Sequence, residues 1–219
     1  VATLRVPQTD VTPLNVDFSQ VTCTLEDWNA AEYSDIFMQK KVNFDEKQEL
    51  VQVVANAVGR RQDQLIIDAL TASSTSLTVS NDIGGTDTDL NTTKLREAKK
   101  LLDAKNVPPQ DRCVVLHGNN LSSLLSETAV TSSDFNTVKA LVAGEIDTWL
   151  GFKFIVMGDR AEGGLTIDGS SDRTIWAFHK SAIGYAEGLA LKTEINYIPE
   201  KTSHLVNSLL SAGSVAIDA

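Results

Sequence analysis

The residues whose types could do chemistry together are Cys113, His117, Ser122 and Ser123, grouped around one glycine, Gly118. A thiol or hydroxyl beside an imidazole is the start of a nucleophile and base pair, and a strand-to-helix turn at glycine can seat a nucleophile or a phosphate. The spacing argues against both. Along an extended segment Cys113 lies about 13 Å from His117, beyond the hydrogen-bond reach that a base needs. The sequence holds no Gly-x-Ser-x-Gly elbow, Walker loop, His-Glu-x-x-His or Cys-x-x-Cys. His117 is expected to satisfy backbone groups at a strand end, and His179 and His204 stand far from it in the chain. The 29 acidic residues could bring a carboxylate pair together in space, but no spacing displays one. The expectation is a chain with no catalytic, cofactor-binding or metal-ligating residues and no enzyme activity. Cys23 and Cys113 sit in strand-like runs without metal-type spacing. They are expected as buried reduced thiols, with a disulfide as the alternative.

The elements that surround this group point to mechanics. Leu50, Val53, Val54, Ala57, Val58 and Leu65 recur at the spacing of one helical stripe, within a segment running from Asn43 to Leu70. Asn43 can cap its first turn, with Glu46 reaching back to the cap amide. Such a helix spans roughly 40 Å. Gly59 lies inside it, and Arg60 and Arg61 interrupt the stripe.

Before the helix, residues 1–19 read as an extended arm with Pro7 and Pro13, carrying the alternation Leu14-Asn-Val-Asp-Phe18. Val21, Cys23 and Leu25 alternate with polar residues as in a half-buried strand, and a mixed stretch runs from Trp28 to Val42. After it, the polar stretch 71–93 marks a boundary, with a short hairpin expected around Leu77 and Val79. A second helix over Leu95, Ala98, Leu101 and Leu102 must end before Pro108-Pro109. Cys113 to Leu116 reads as a buried strand and Leu121 to Leu125 as a third helix. A polar loop follows at 127–136, then a bend, a tight turn at Gly151 and a strand from Phe152 to Val156. Beyond an acidic loop at 158–172, strands are expected at 174–178, 191–197 and 205–217, with Gly213 as a bulge or turn in the last.

With 219 residues and 42% hydrophobic content, the chain can bury a substantial core. It has no apolar run long enough to span a bilayer and no leader-like opening, so neither membrane nor secretion is expected. It opens on Val1 rather than Met, which leads us to expect a processed or partial chain. The net charge of −10 and the scattering of Lys and Arg exclude a phosphate-neutralising footprint. Pairs such as Arg60-Arg61 and Lys99-Lys100 are expected on solvated faces or beside carboxylates.

Three segments carry a resemblance. Lys94-Leu-Arg-Glu-Ala-Lys-Lys-Leu-Leu102 is followed by Asn106-Val-Pro-Pro-Gln-Asp-Arg-Cys-Val-Val-Leu-His-Gly-Asn-Asn-Leu-Ser-Ser-Leu-Leu125, then by Gly144-Glu-Ile-Asp-Thr-Trp-Leu-Gly-Phe-Lys-Phe-Ile-Val156. This succession resembles the axial domain of tailed-bacteriophage major capsid proteins, the shell proteins with the Hong Kong 97-type fold. The resemblance implies an α+β chain with a long spine helix, a peripheral domain and an axial domain. It implies residues 1–20 as part of the extended loop, 21–72 and 196–219 as the peripheral domain, and 90–195 as the axial domain. The implied function is a major capsid protein that assembles with itself into pentamers and hexamers of an icosahedral head. That head encloses double-stranded DNA without sequence-specific binding. Scaffolding, portal or decoration proteins are implied partners, the virion is the implied location, and synthesis falls in the host cytoplasm. The loops 71–93 and 158–172 would be sites of inter-subunit contact or surface variation. Two alternatives remain: an encapsulin-like compartment shell sharing the fold, and a soluble α+β enzyme with a deep polar pocket.

Overall fold

A single helix, α2 (Glu46–Ala72), runs through both halves of the molecule in the computed structural model. The structure describes residues 18–73, 77–86, 88–127 and 148–217, together with Leu4, Pro7, Gln8 and Asp10. The helix starts later than its sequence suggests. Asp45, not Asn43, is the cap, its Oδ1 accepting from the Lys47 N–H at 3.1 Å. Glu46 does not close a capping box; its carboxylate accepts from the buried Ser34 hydroxyl at 3.2 Å.

The first sheet holds β1 (Glu26–Asp35), β6 (Ile183–Ile198) and β7 (Ser203–Ala216) in the order β1-β7-β6, antiparallel throughout. Helix α2 covers one face of it, where Val58 and Leu65 pack on Leu210, Ala212, Trp28 and Ala30. Burying each large apolar side chain of this set contributes about 1.5–3 kcal/mol. The stripe is not the uniform one its spacing suggests. Val53 is 59% exposed while Gln64 is 3% exposed, because the sheet underlies one part of the helix and the second half of the molecule meets the rest. Gly59 lies on an open part of this helix, with no atom within 4 Å of a Cβ built there. Gly59→Ala should therefore stabilise the chain by about 1 kcal/mol through helix propensity, read as a raised midpoint in urea.

The second sheet has the order β3-β4-β2-β5, with β2 (Arg112–Leu116), β3 (Thr148–Trp149), β4 (Phe152–Val156) and β5 (Trp176–His179). Strand β2 runs parallel to β4 and antiparallel to β5. Its continuous apolar run is explained by burial on both faces. Val114 and Leu116 pack with Leu95, Leu124 and Phe152 under α3 (Thr92–Ala104) and α4 (Gly118–Ser126). Val115 faces the other way, onto Ile67 and Leu70 of α2. Helix α3 is stopped as its sequence demands. Asn91 caps its start, Asn106 takes a left-handed φ of 57°, and the Val107 N–H donates to the Leu102 carbonyl just before Pro108. The turn between β3 and β4 has positive φ at both Leu150 and Gly151, the arrangement of a type I′ hairpin.

Arg112 is the polar rivet of this half. Its side chain is 2% exposed and donates to the carbonyls of Pro108 and Val107 at 2.8 and 2.5 Å, while pairing with Asp103 at 2.7 Å. Arg112→Ala leaves two carbonyls without their donors and should cost about 2–3 kcal/mol, measurable by chemical denaturation.

Several expectations are corrected. Val21, Cys23 and Leu25 are not in a strand; the strand lies at β1, eight further residues of which sit within the expected mixed stretch 28–42, and this stretch then closes with the short helix α1 (Ile36–Gln39). Residues 77–80 form no strand. Helix α4 starts at Gly118, ahead of the expected Leu121. The expected strand 191–197 is the second half of a longer β6, which pairs with β7. Residues 183–195 thus belong to the first sheet, and the second sheet ends at His179. Gly213 is neither bulge nor turn: it pairs regularly with Ala186, and the register shifts fall in β6 between Glu187 and Lys192. The expected loop at 128–136 and the bend at 141–147 lie outside the described residues.

Candidate functional site

The four chemistry-bearing residues do not assemble into a site. The Cys113 thiol lies 3.9 Å from the Asp111 carbonyl, and burial pushes its pKa up against the opposing pull of Lys153, away from thiolate character. His117 is occupied as the cap of α4, its Nδ1 accepting from the Asn119 N–H at 3.2 Å. Ser123 Oγ lies 3.1 Å from both Asp89 Oδ2 and the Asn119 carbonyl. His179 caps a short turn, accepting from the Ser181 N–H, and His204 packs against the Tyr197 ring at 5.4 Å. Both cysteines are free thiols, part-exposed rather than fully buried. Among the described residues no group of three His, Cys, Asp or Glu is placed to hold a metal, and no helix is long and apolar enough to cross a membrane. An open groove of about 560 Å³ on the first sheet is lined by Asp27, Trp28, Asn29, Gly188, Leu189, Leu209, Leu210 and Ser211. It pairs no nucleophile with a base.

What the chain does build is joints. The first is a clasp between α2 and the segment after β4. Gln64 meets Gly164 at two points: the Gly164 N–H donates to Gln64 Oε1 at 2.7 Å and Gln64 Nε2 donates to the Gly164 carbonyl at 3.3 Å. The same Nε2 donates to Asp68 at 2.8 Å. Met157 and Leu165 sit in the core beside it. Around the rim, Arg60 pairs with Glu162 at 3.1 Å and Arg160 with Asp63 at 3.0 Å. Arg61 lies over the Trp28 ring at 3.9 Å and beside Asp68. Residues 160–165 are therefore folded back on the helix, while residues 166–171 of the same loop are exposed. Arg60 serves this joint, whereas Arg61 ties α2 to β1 through Trp28.

Two carboxylates of this loop, Glu162 in the clasp and Asp159 beside it, are held below their ordinary values. The Arg173 guanidinium, donating to Asp159 at 2.6 Å, holds that carboxyl below its ordinary value. Glu162 is lowered first by its own backbone N–H and then by Arg60. A depressed folded-state pKa means that the tether is complete above the ordinary carboxylate range, about 4, and is lost as pH falls through the lowered values. Backbone amides of 158–173 should exchange faster at about pH 3 than the intrinsic pH effect predicts. Those of β7 should not.

The second joint is a notch in the first sheet. A Cβ built on Gly213 lands on the carbonyl oxygen of Thr24, and the Cys23 thiol lies 3.2 Å from it. Nearby, a Cβ on Gly188 falls 2.9 Å from Leu25. Residues 23–25 thus cross β7 toward β6, which is why their alternation does not make a strand. Glycine at 213 permits that close backbone approach.

One long helix packed on two sheets braces the chain, and contacts within the chain clasp its segments to that frame. Solved structures share it. The chain is similar to a protein of Mycobacterium phage Che8, 22% identical with a TM-score of 0.67, covering 88% of this chain and 67% of that one. The capsid of cyanophage P-SCSP1u is 15% identical with a TM-score of 0.70, over 100% of this chain and 77% of that one. The head of Helicobacter pylori bacteriophage KHP40 is 12% identical with a TM-score of 0.64, over 89% and 69%. The fold is that of the Hong Kong 97-type capsid proteins. The chain belongs to the phage capsid protein family, whose model matches residues 2–219. No curated protein sequence matches the chain.

Proposed function

We propose that copies of this chain form pentamers and hexamers of an icosahedral head enclosing double-stranded DNA, and that the chain performs no catalysis. As a capsid protein it is a component of the virion shell. The observation that carries the finer reading is the single helix α2, whose middle packs on the first sheet and whose C-terminal end packs on the second. A subunit fixed in this way can pass load from one neighbour to another without bending. In this reading the second sheet with α3 and α4 is the axial domain, spanning 90–182. The first sheet with α2 is the peripheral domain, and residues 1–20 are part of the extended loop. Ring contacts are heterologous and close because their rotation closes. The acidic balance suits an inner wall that does not grip packaged DNA. Synthesis falls in the host cytoplasm, and scaffolding, portal or decoration proteins are the partners the head requires.

Analytical ultracentrifugation of the chain expressed alone tests the ring stage. Species sedimenting as five or six copies support the proposal, whereas a monomer that persists at high concentration contradicts it.

A further inference from the structure

Strand β7 is paired further along one side than along the other. Its ladder with β6 runs on to Ala216, opposite Ile183, whereas its ladder with β1 stops at Ala212, opposite Glu26. Along residues 213–216 the side of β7 that continues the line of β1 is therefore an open edge, of the kind that takes up a strand. Residues 18–25 arrive at this edge and turn away from it. Thr24 crosses over Gly213, and the Leu25 side chain reaches Gly188 on β6. No hydrogen bond holds residues 18–24 among the described residues, and Phe18, Val21 and Leu25 are exposed. Packing in a glycine notch is what keeps this strap across the sheet.

The same residues fit the open edge. Running the register of β1 back past Glu26 sets Leu25 opposite Gly213, Thr24 opposite Ser214, Cys23 opposite Val215 and Thr22 opposite Ala216. The faces agree as well. Leu210 and Ala212 pack toward α2, and Ser214 does so too, its hydroxyl donating to the Leu65 carbonyl. Residues 213 and 215 therefore face away from α2, and pairing puts the apolar Leu25 and Cys23 on that side with Val215. It also puts Thr24 beside Ser214, the kind of hydroxyl pair that Thr193 and Ser208 already make across β6 and β7 at 2.6 Å. A slip of one residue would reverse each of these placements. The alternation of Val21, Cys23 and Leu25 has no use in the crossing and is what the pairing requires.

We infer that residues 22–25 are a strap with two seats, the crossing over Gly213 and a paired seat along residues 213–216 of β7. The two seats send the chain ahead of residue 18 different ways, over the sheet toward β6 or onward along the line of β1. Whatever takes hold of that chain on one side shifts the balance between them. Glycine at 213 sets the resting position, because a Cβ there blocks the crossing and leaves the paired seat open. The device belongs to the single chain and does not depend on the shell reading.

Disulfide trapping tests it in a chain carrying Cys23→Ser, Thr22→Cys and Ala216→Cys, with the linked peptide identified by mass spectrometry. The paired seat sets positions 22 and 216 opposite each other, with Cα atoms about 4.5–5.5 Å apart, inside the range a disulfide spans. The crossing is anchored at Gly213, about 10 Å along β7 from position 216. The same chain with Gly213→Val is compared, and Gly213→Ala carries the comparison if the Gly213→Val chain does not melt cooperatively. The expected result is a disulfide between positions 22 and 216 in both, forming at least about tenfold faster once Gly213 is replaced. Absence of that disulfide from every chain, while both thiols react with a small alkylating reagent, would overturn the inference. Equal rates with and without the glycine would overturn it too, since the notch would then hold nothing.

Discussion

Gly213→Val should lower the free energy of unfolding by about 3 kcal/mol, a fall in melting temperature of about 6–12 °C for a chain of this size. The added side chain has nowhere to go. Its Cβ falls on the Thr24 carbonyl, which is backbone and cannot rotate aside, and the Cys23 sulfur closes the remaining direction. Either residues 23–25 lift from the sheet or β7 shifts against β1 and β6. The first outcome exposes residues 18–25 to limited proteolysis while leaving the second sheet unchanged. Gly213→Ala meets the same carbonyl and should show most of the effect, which separates the close approach from any preference for a larger strand residue. Melting temperatures within 1 °C of the parent chain's, in rough terms below 0.5 kcal/mol, would show that the arm does not rest in this notch.

Gln64→Ala should cost about 2–4 kcal/mol and loosen one segment selectively. Gln64 is buried, and its amide serves both the N–H and the carbonyl of Gly164 as well as Asp68. Truncation leaves two backbone groups without partners in a place water reaches poorly, so the penalty exceeds that of a surface hydrogen bond. The surrounding ion pairs are exposed and cannot substitute. Gln64→Glu separates geometry from donor capacity: a carboxylate can accept from Gly164 N–H but cannot donate to its carbonyl, and it faces Asp68. Hydrogen exchange should show amides of 158–165 opening first in both variants, ahead of the three-stranded sheet. Uniform acceleration across the whole chain would mean that the clasp is not a local unit.

The parts of the fold legible in the sequence are those decided locally. Helix α3 carries its own cap at Asn91 and its own stop at Asn106 and Pro108. Strand β2 carries an unbroken apolar run, and the turn at Gly151 carries its φ requirement. The long helix was legible in extent to within three residues at its start, since Asp45 and Asn43 are both good caps and only the tertiary contact of Glu46 with Ser34 decides between them. Its faces were not legible. Val53 reads as core by period and is exposed; Gln64 reads as surface by type and is buried by a partner one hundred residues away. Strand β1, with the sequence Glu-Asp-Trp-Asn-Ala-Ala-Glu-Tyr-Ser-Asp, has weak strand propensity and exists because β7 supplies its hydrogen bonds. Val21 to Leu25 has the better alternation, but crosses the strands instead of joining them. The notch shows why Gly213 misled: a glycine in a strand signals either a bulge or a close approach, and only the position of Thr24 distinguishes the two.

Negative-stain electron microscopy of the chain expressed without other phage proteins is the most direct test of its role as a self-assembling shell protein. The account predicts hollow polyhedral particles, tubes, or rings of five and six copies. A uniform population of monomers or dimers, unchanged at high protein concentration, would contradict it.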